Sequence, residues 1–256
     1  MFPLKKQNIY TNDERAQEFV YSNINYPVII VGSGLIGHFK IRPAQRKNLV
    51  NLFFPYSGSC SGVEIIALSK KIPRTLFIET NYIFKGFDAP LIEKLFRPGL
   101  YQLRHLFPSL LKKHTISSLL SEIFKRLNIY KTNSIKSNSM TSPTVEIFKK
   151  LYDEVPERNQ FLNNLKKLKN YIDHFSSQGC EIIFFEMPLD PQLVDAPLFQ
   201  FQRRELKDFF ANYKCSWVYP DPLDQYYYND GLHLVEGSAH KYFTYLDKKS
   251  NNILSI

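Results

Sequence analysis

Residues 226–234 read Tyr-Tyr-Tyr-Asn-Asp-Gly-Leu-His-Leu, which places Asp230 and His233 three positions apart in a glycine-containing loop. At that spacing a carboxylate can accept a hydrogen bond from one imidazole nitrogen and leave the other to take a proton, as a general base must. Alone, such a pair is common in polar loops. A second stretch, VIIVGSGLIGHFK from Val28 to Lys40, carries Gly32-Ser33-Gly34-Leu35-Ile36-Gly37 after an apolar run. The glycines spell the G-x-G-x-x-G of dinucleotide sites, but the surroundings disagree. Pro43 would break the required helix in its second turn. The next strand end, NLVNLFFPYSG, offers no carboxylate to hold a ribose. A dinucleotide-binding oxidoreductase is therefore a distant alternative.

These residues need a scaffold, and the chain alternates as an α/β protein does. YPVIIVGSG, LVNLFFPYSGS, RTLFIETN, CEIIFFEMP and the shorter CSWVYPDP read as strands. GVEIIALSKKI, RNQFLNNLKKLKNYIDHFSSQG and QFQRRELKDFFANY read as helices, with another expected after His233. This order predicts a parallel sheet covered by helices on both faces, a three-layer α/β/α arrangement. Gly34, Gly58 and Asn81 then follow the first three strands at the carboxyl edge, where α/β sites form. Residues 84–170 are expected to include a helical insertion over one end of the sheet. The Ser/Thr/Asn-rich segment near 130–144 reads as a mobile loop, and residues 1–256 as one domain.

Taken together, the blocks resemble the SGNH, or GDSL-type, hydrolase superfamily. Its markers are a Ser after the first strand, a Gly after the second, an Asn after the third, and a closing Asp-x-x-His. The resemblance spans roughly Val28 to Leu246, and DGLHLVEGSAHKYF is its most specific part. It implies a flavodoxin-like parallel sheet with acyl-ester hydrolysis or acyl transfer by a Ser-His-Asp mechanism. His233 would be the base, Asp230 its orienting partner, and Asn81 and the N–H of Gly58 the oxyanion donors, with Gly62 able to replace Gly58. The chain departs from the pattern at the nucleophile. Anchoring on Gly32, Leu35 and Gly37 puts Gly34 where the serine belongs, with Ser33 one residue early as an alternative nucleophile. The chain then reads as an O-acetyltransferase acting on carbohydrate, or an acetyl esterase, with its nucleophile replaced. The alternative is a pseudo-enzyme that binds a glycan or acyl ligand. No cofactor is expected, save acetyl-CoA as acyl donor for a transferase.

Composition narrows the partners. A formal charge of +9 is compatible with many surfaces, and no nucleic-acid module accompanies it. The expected partner is a carbohydrate or another acyl ester. No apolar run is long enough to span a bilayer, and Met1–Phe19 lacks the apolar core of a secretory signal, so a cytoplasmic location is expected. Cys60, Cys180 and Cys215 suit free thiols and match no zinc spacing. Glu186 at the end of the fourth strand is expected to line the pocket, and the run Tyr226, Tyr227, Tyr228 either to stack on a sugar ring, with Tyr228 binding substrate, or to anchor the loop. Glu79 reads as a half-buried neighbour of the site, and His38 as a surface residue.

Overall fold

The computed structural model describes residues 11–107, 110–111 and 143–255. In chain order the first elements are α1 (Asn12–Val20), β1 (Val28–Gly32), β2 (Leu49–Phe53), α2 (Ser59–Leu68), β3 (Thr75–Glu79), α3 (Ala89–Leu95) and α4 (Leu100–Leu106). They are followed by α5 (Pro143–Tyr152), α6 (Arg158–Ser177), β4 (Glu181–Phe185), α7 (Pro197–Phe209), β5 (Ser216–Val218) and α8 (Glu236–Lys249). Short 3-10 helices at Gly34–His38 and Pro43–Lys47 link β1 to β2. These residues fall into two compact units, Met1–Asn23 with Ala89–Ser137, and Ile24–Asp88 with Asn138–Ile256.

The larger unit holds a five-stranded parallel sheet in the order β2-β1-β3-β4-β5, flanked by helices as a three-layer α/β/α fold. The sequence dictates the centre of that order. β1 and β3 have no exposed residue, as expected of strands covered on both faces, whereas β5 is short and lies at the edge. Ile30, Phe77 and Ile183 are in register across three strands and share one face. They join Phe39, Phe185, Tyr242 and Leu246 in the main core cluster, so α8 closes that side. Val31, Ile78 and Phe184 point the other way. There Gly62 of α2 lies so near Val31 that a Cβ on it would stand 2.1 Å from Val31 Cγ2.

Local signals set the helix ends. Glu157 accepts the N–H groups of Asn159 and Gln160 at the start of α6, and Gly179 takes φ +83° beyond its end. The stripe Phe161, Leu165, Leu168, Ile172, Phe175 is buried between them. In the smaller unit, Thr11 and Glu14 form a reciprocal capping box for α1, and Lys94 of α3 pairs with Asp13 of α1 at 2.5 Å. Most of the segment expected as a mobile loop, residues 130–142, lies outside the described residues. Residues 143–144 belong to α5. No helix among the described residues is long and apolar enough to cross a membrane.

The close approach of α2 to β1 is testable. Gly62→Ala should destabilise the chain by about 1–3 kcal/mol through overpacking against Val31. Gly237→Ala in α8, where a Cβ meets nothing within 4 Å, should cost nothing. Urea unfolding midpoints check the contrast, and equal effects of the two changes would contradict the packing described.

Candidate functional site

In this strand order the chain turns from one side of the sheet to the other between β1 and β3, the place where ligand crevices open in such sheets. The loop leaving β1 is held from both sides. Ser33 donates its N–H to Glu79 Oε2 at 2.6 Å, and its hydroxyl accepts the N–H of Leu35 at 3.2 Å. That brings Gly34 to the first position of the 3-10 helix. A Cβ built there would lie 3.6 Å from His233 Nε2 and 3.6 Å from the Cα of Pro55. Both are ordinary contacts, and φ is not in the left-handed region. A side chain at residue 34 therefore fits and faces the imidazole.

His233 is oriented by its own loop. Nδ1 lies 2.8 Å from Asp230 Oδ2, while Asp230 Oδ1 accepts the backbone N–H groups of His233 at 2.7 Å and Leu232 at 3.0 Å. Burial pushes this carboxyl upward, but hydrogen bonds from the His233 ring and from both N–H groups outweigh it and hold Asp230 at about 2. An ionised carboxylate can only accept, so Nδ1 carries the hydrogen of this bond, and Nε2 is the ring nitrogen facing residue 34. Gly231 supplies φ +86° in the turn, where a Cβ would stand 2.7 Å from Val145. The aromatic run ahead of the loop serves as its anchor. Tyr228 donates its hydroxyl to Leu189 O at 2.8 Å and bridges to Leu234, and Tyr227 donates its N–H to Ser238 Oγ at 2.8 Å.

A cavity of about 800 Å³ opens from this dyad, lined by Ser33, Gly34, His38, Asp230 and His233 at the polar end. Tyr82, Phe84, Phe148, Leu151, Tyr152 and Val155 make its apolar wall. His38 stands beside the dyad, its ring 6.5 Å from that of His233. Partial burial, then the neighbouring His233, lower its proton affinity. The wall residues of α5 and the loop after it carried no sequence signal beyond amphipathic spacing.

Several expected site residues are engaged elsewhere. Asn81 is fully buried, and its amide holds the Met187 backbone, donating to the carbonyl at 3.0 Å and accepting the N–H at 2.7 Å. Gly58 caps α2 with its N–H on Phe54 O at 3.3 Å, and is not among the cavity-lining residues. Gly62 is packed inside α2, as described. None of the expected oxyanion donors lines the cavity. Ser33 lines the cavity but is buried, its N–H donated to Glu79 and its hydroxyl accepting the N–H of Leu35. Glu186 does not line the cavity; it pairs with Arg203, which reaches it through Nε at 2.8 Å and also through Nη2. Tyr228 is likewise an anchor and not a wall residue.

Glu79 was expected to be half-buried and is fully buried beneath the Ser33–Gly34 loop. Burial pushes its carboxyl up to about 7, against the stabilising N–H of Ser33. The five-residue 3-10 helix Gly34–His38, which contains the second and third glycines and ends before Pro43, is not the long helix a pyrophosphate site uses. Among the described residues no group of three His, Cys, Asp or Glu is placed to hold a metal.

No family model and no curated protein matches this chain. One similar solved structure is described as that of a candidate platelet activating factor from Streptococcus pneumonia. It is 15% identical, with a TM-score of 0.47, covering 95% of this chain and 92% of that one.

Glu79 makes stability depend on pH. Because its folded value is raised from 4.5 to about 7, its contribution is full below about pH 4.5 and is lost as pH rises through about 7. Glu79→Gln should flatten the stability profile across that window, measured by thermal unfolding. An unchanged slope in the variant would contradict the burial of this carboxyl.

Proposed function

We propose that the cavity is an acyl-ester site of the SGNH type in which residue 34 has lost the nucleophile. As it stands, the chain binds an acyl ligand and retains only the base half of the chemistry. The observation that carries this reading is the 3.6 Å between a Cβ at residue 34 and His233 Nε2, with Asp230 behind the ring at 2.8 Å.

The chemistry follows from that line of atoms. With an oxygen nucleophile at residue 34, Nε2 would take its proton as the oxygen attacks the ester carbonyl. The imidazolium, stabilised by Asp230, would then return the proton to the departing alkoxide. Hydrolysis and acyl transfer share this adduct and differ in whether water or an acceptor hydroxyl resolves it. Without the nucleophile, His233 can still take a proton from a water that attacks a bound ester directly. That route loses the covalent intermediate and is much slower. In this reading the Gly34 N–H, at the first position of the 3-10 helix, would serve as a donor for the carbonyl oxygen.

Gly34→Ser should raise the second-order rate constant for an activated ester by at least about 10²-fold, the lower range for a positioned base and nucleophile. Adding His233→Ala should abolish the gain. A folded Gly34→Ser protein with no gain, or a gain that survives His233→Ala, would overturn the reading.

A further inference from the structure

Resting on that reading, we propose that the acyl group this site takes is an unbranched hydrocarbon chain well longer than acetyl, laid along the wall formed by Tyr82, Phe84, Phe148, Leu151, Tyr152 and Val155. The lining of the cavity of about 800 Å³ is more apolar than polar. The hydroxyls of Tyr82 and Tyr152 on that wall are hydrogen-bonded to each other. Beyond the dyad, His38 and the engaged Ser33, the charged side chains at the cavity are Lys85 and Glu154.

A buried sugar ring would leave several hydroxyls without partners against such a wall, which costs affinity for each one. A methylene chain has no such requirement. The rim extends the same chemistry into solvent: Tyr56 is 87% exposed, Leu151 57% and Val155 44%. Exposed apolar side chains continuous with an apolar cavity mark a ligand that covers them when bound. The ester carbonyl belongs at Gly34 and His233, with the chain running away from the dyad along α5.

Each methylene buried here is worth about fourfold in binding, the equivalent of about 0.8 kcal/mol. The test compares p-nitrophenyl octanoate with p-nitrophenyl acetate on the Gly34→Ser protein. The octanoate should be favoured in kcat/KM by at least about 10²-fold. The double change Leu151→Asp, Val155→Asp, at exposed positions that leave the core intact, should reduce that ratio about 10-fold or more. Activity on both esters without preference for the longer one would overturn the proposal and leave the acyl-ester reading standing. If Gly34→Ser is inert on both, the acyl-ester reading fails, and calorimetry of octanoate and acetate binding to the unaltered chain decides the cavity. Octanoate binding that the double change weakens supports an acyl-chain site. No preference over acetate overturns it.

Discussion

The hydrogen bond between His233 Nδ1 and Asp230 Oδ2 is the interaction that gives the carboxyl edge of the sheet its chemical direction. It works because Asp230 spends its other oxygen on the two backbone N–H groups of its own turn, so the carboxylate is fixed before it fixes the ring. Rotating the imidazole away would break a charge-assisted bond and leave a partly buried carboxylate under-satisfied. The loop is in turn pinned by the Tyr228 hydroxyl and the Tyr228–Leu234 bridge. Nε2 is thereby aimed at a fixed point, and that point is residue 34.

The other half of the geometry comes from beneath. Glu79, at the end of β3, takes the Ser33 N–H and sets the path of the chain as it leaves β1. Gly32 accommodates this closeness, since a Cβ there would stand 2.7 Å from the Glu79 Cβ. The dyad and the β1 loop are thus placed by separate strands and separate contacts, yet meet with room for one small side chain. The Asn81 amide bonds the Met187 backbone and the Gly58 N–H bonds Phe54, and neither residue lines the cavity.

What the sequence could reveal divides along a physical line. The strands were legible because burial on both faces demands continuous apolar runs, as in Val28–Val31 and Thr75–Ile78. Asp230 and His233 were legible because their contact is local, spanning three residues of one turn. Asn81 sits at the expected strand end, but where its amide points is decided by the Met187 backbone, 106 residues away, and no local pattern encodes that. The same holds for Ser33 and for the Arg203 partner of Glu186. The Thr11-Asn12-Asp13-Glu14 capping box of α1 also carries a local signal, a threonine followed three residues on by a glutamate. The cavity wall was not legible, since it combines residues from β3's loop with residues of α5 far along the chain.

The central claim is that residue 34 faces a competent base, and covalent capture tests it without reference to any substrate. A serine-directed fluorophosphonate should add once to the Gly34→Ser protein, at residue 34, as read by intact mass and peptide mapping. The unaltered chain should not react, and neither should the Gly34→Ser protein carrying His233→Ala. Labelling of Ser33 in the unaltered chain, or no adduct on a folded Gly34→Ser protein, would contradict the account.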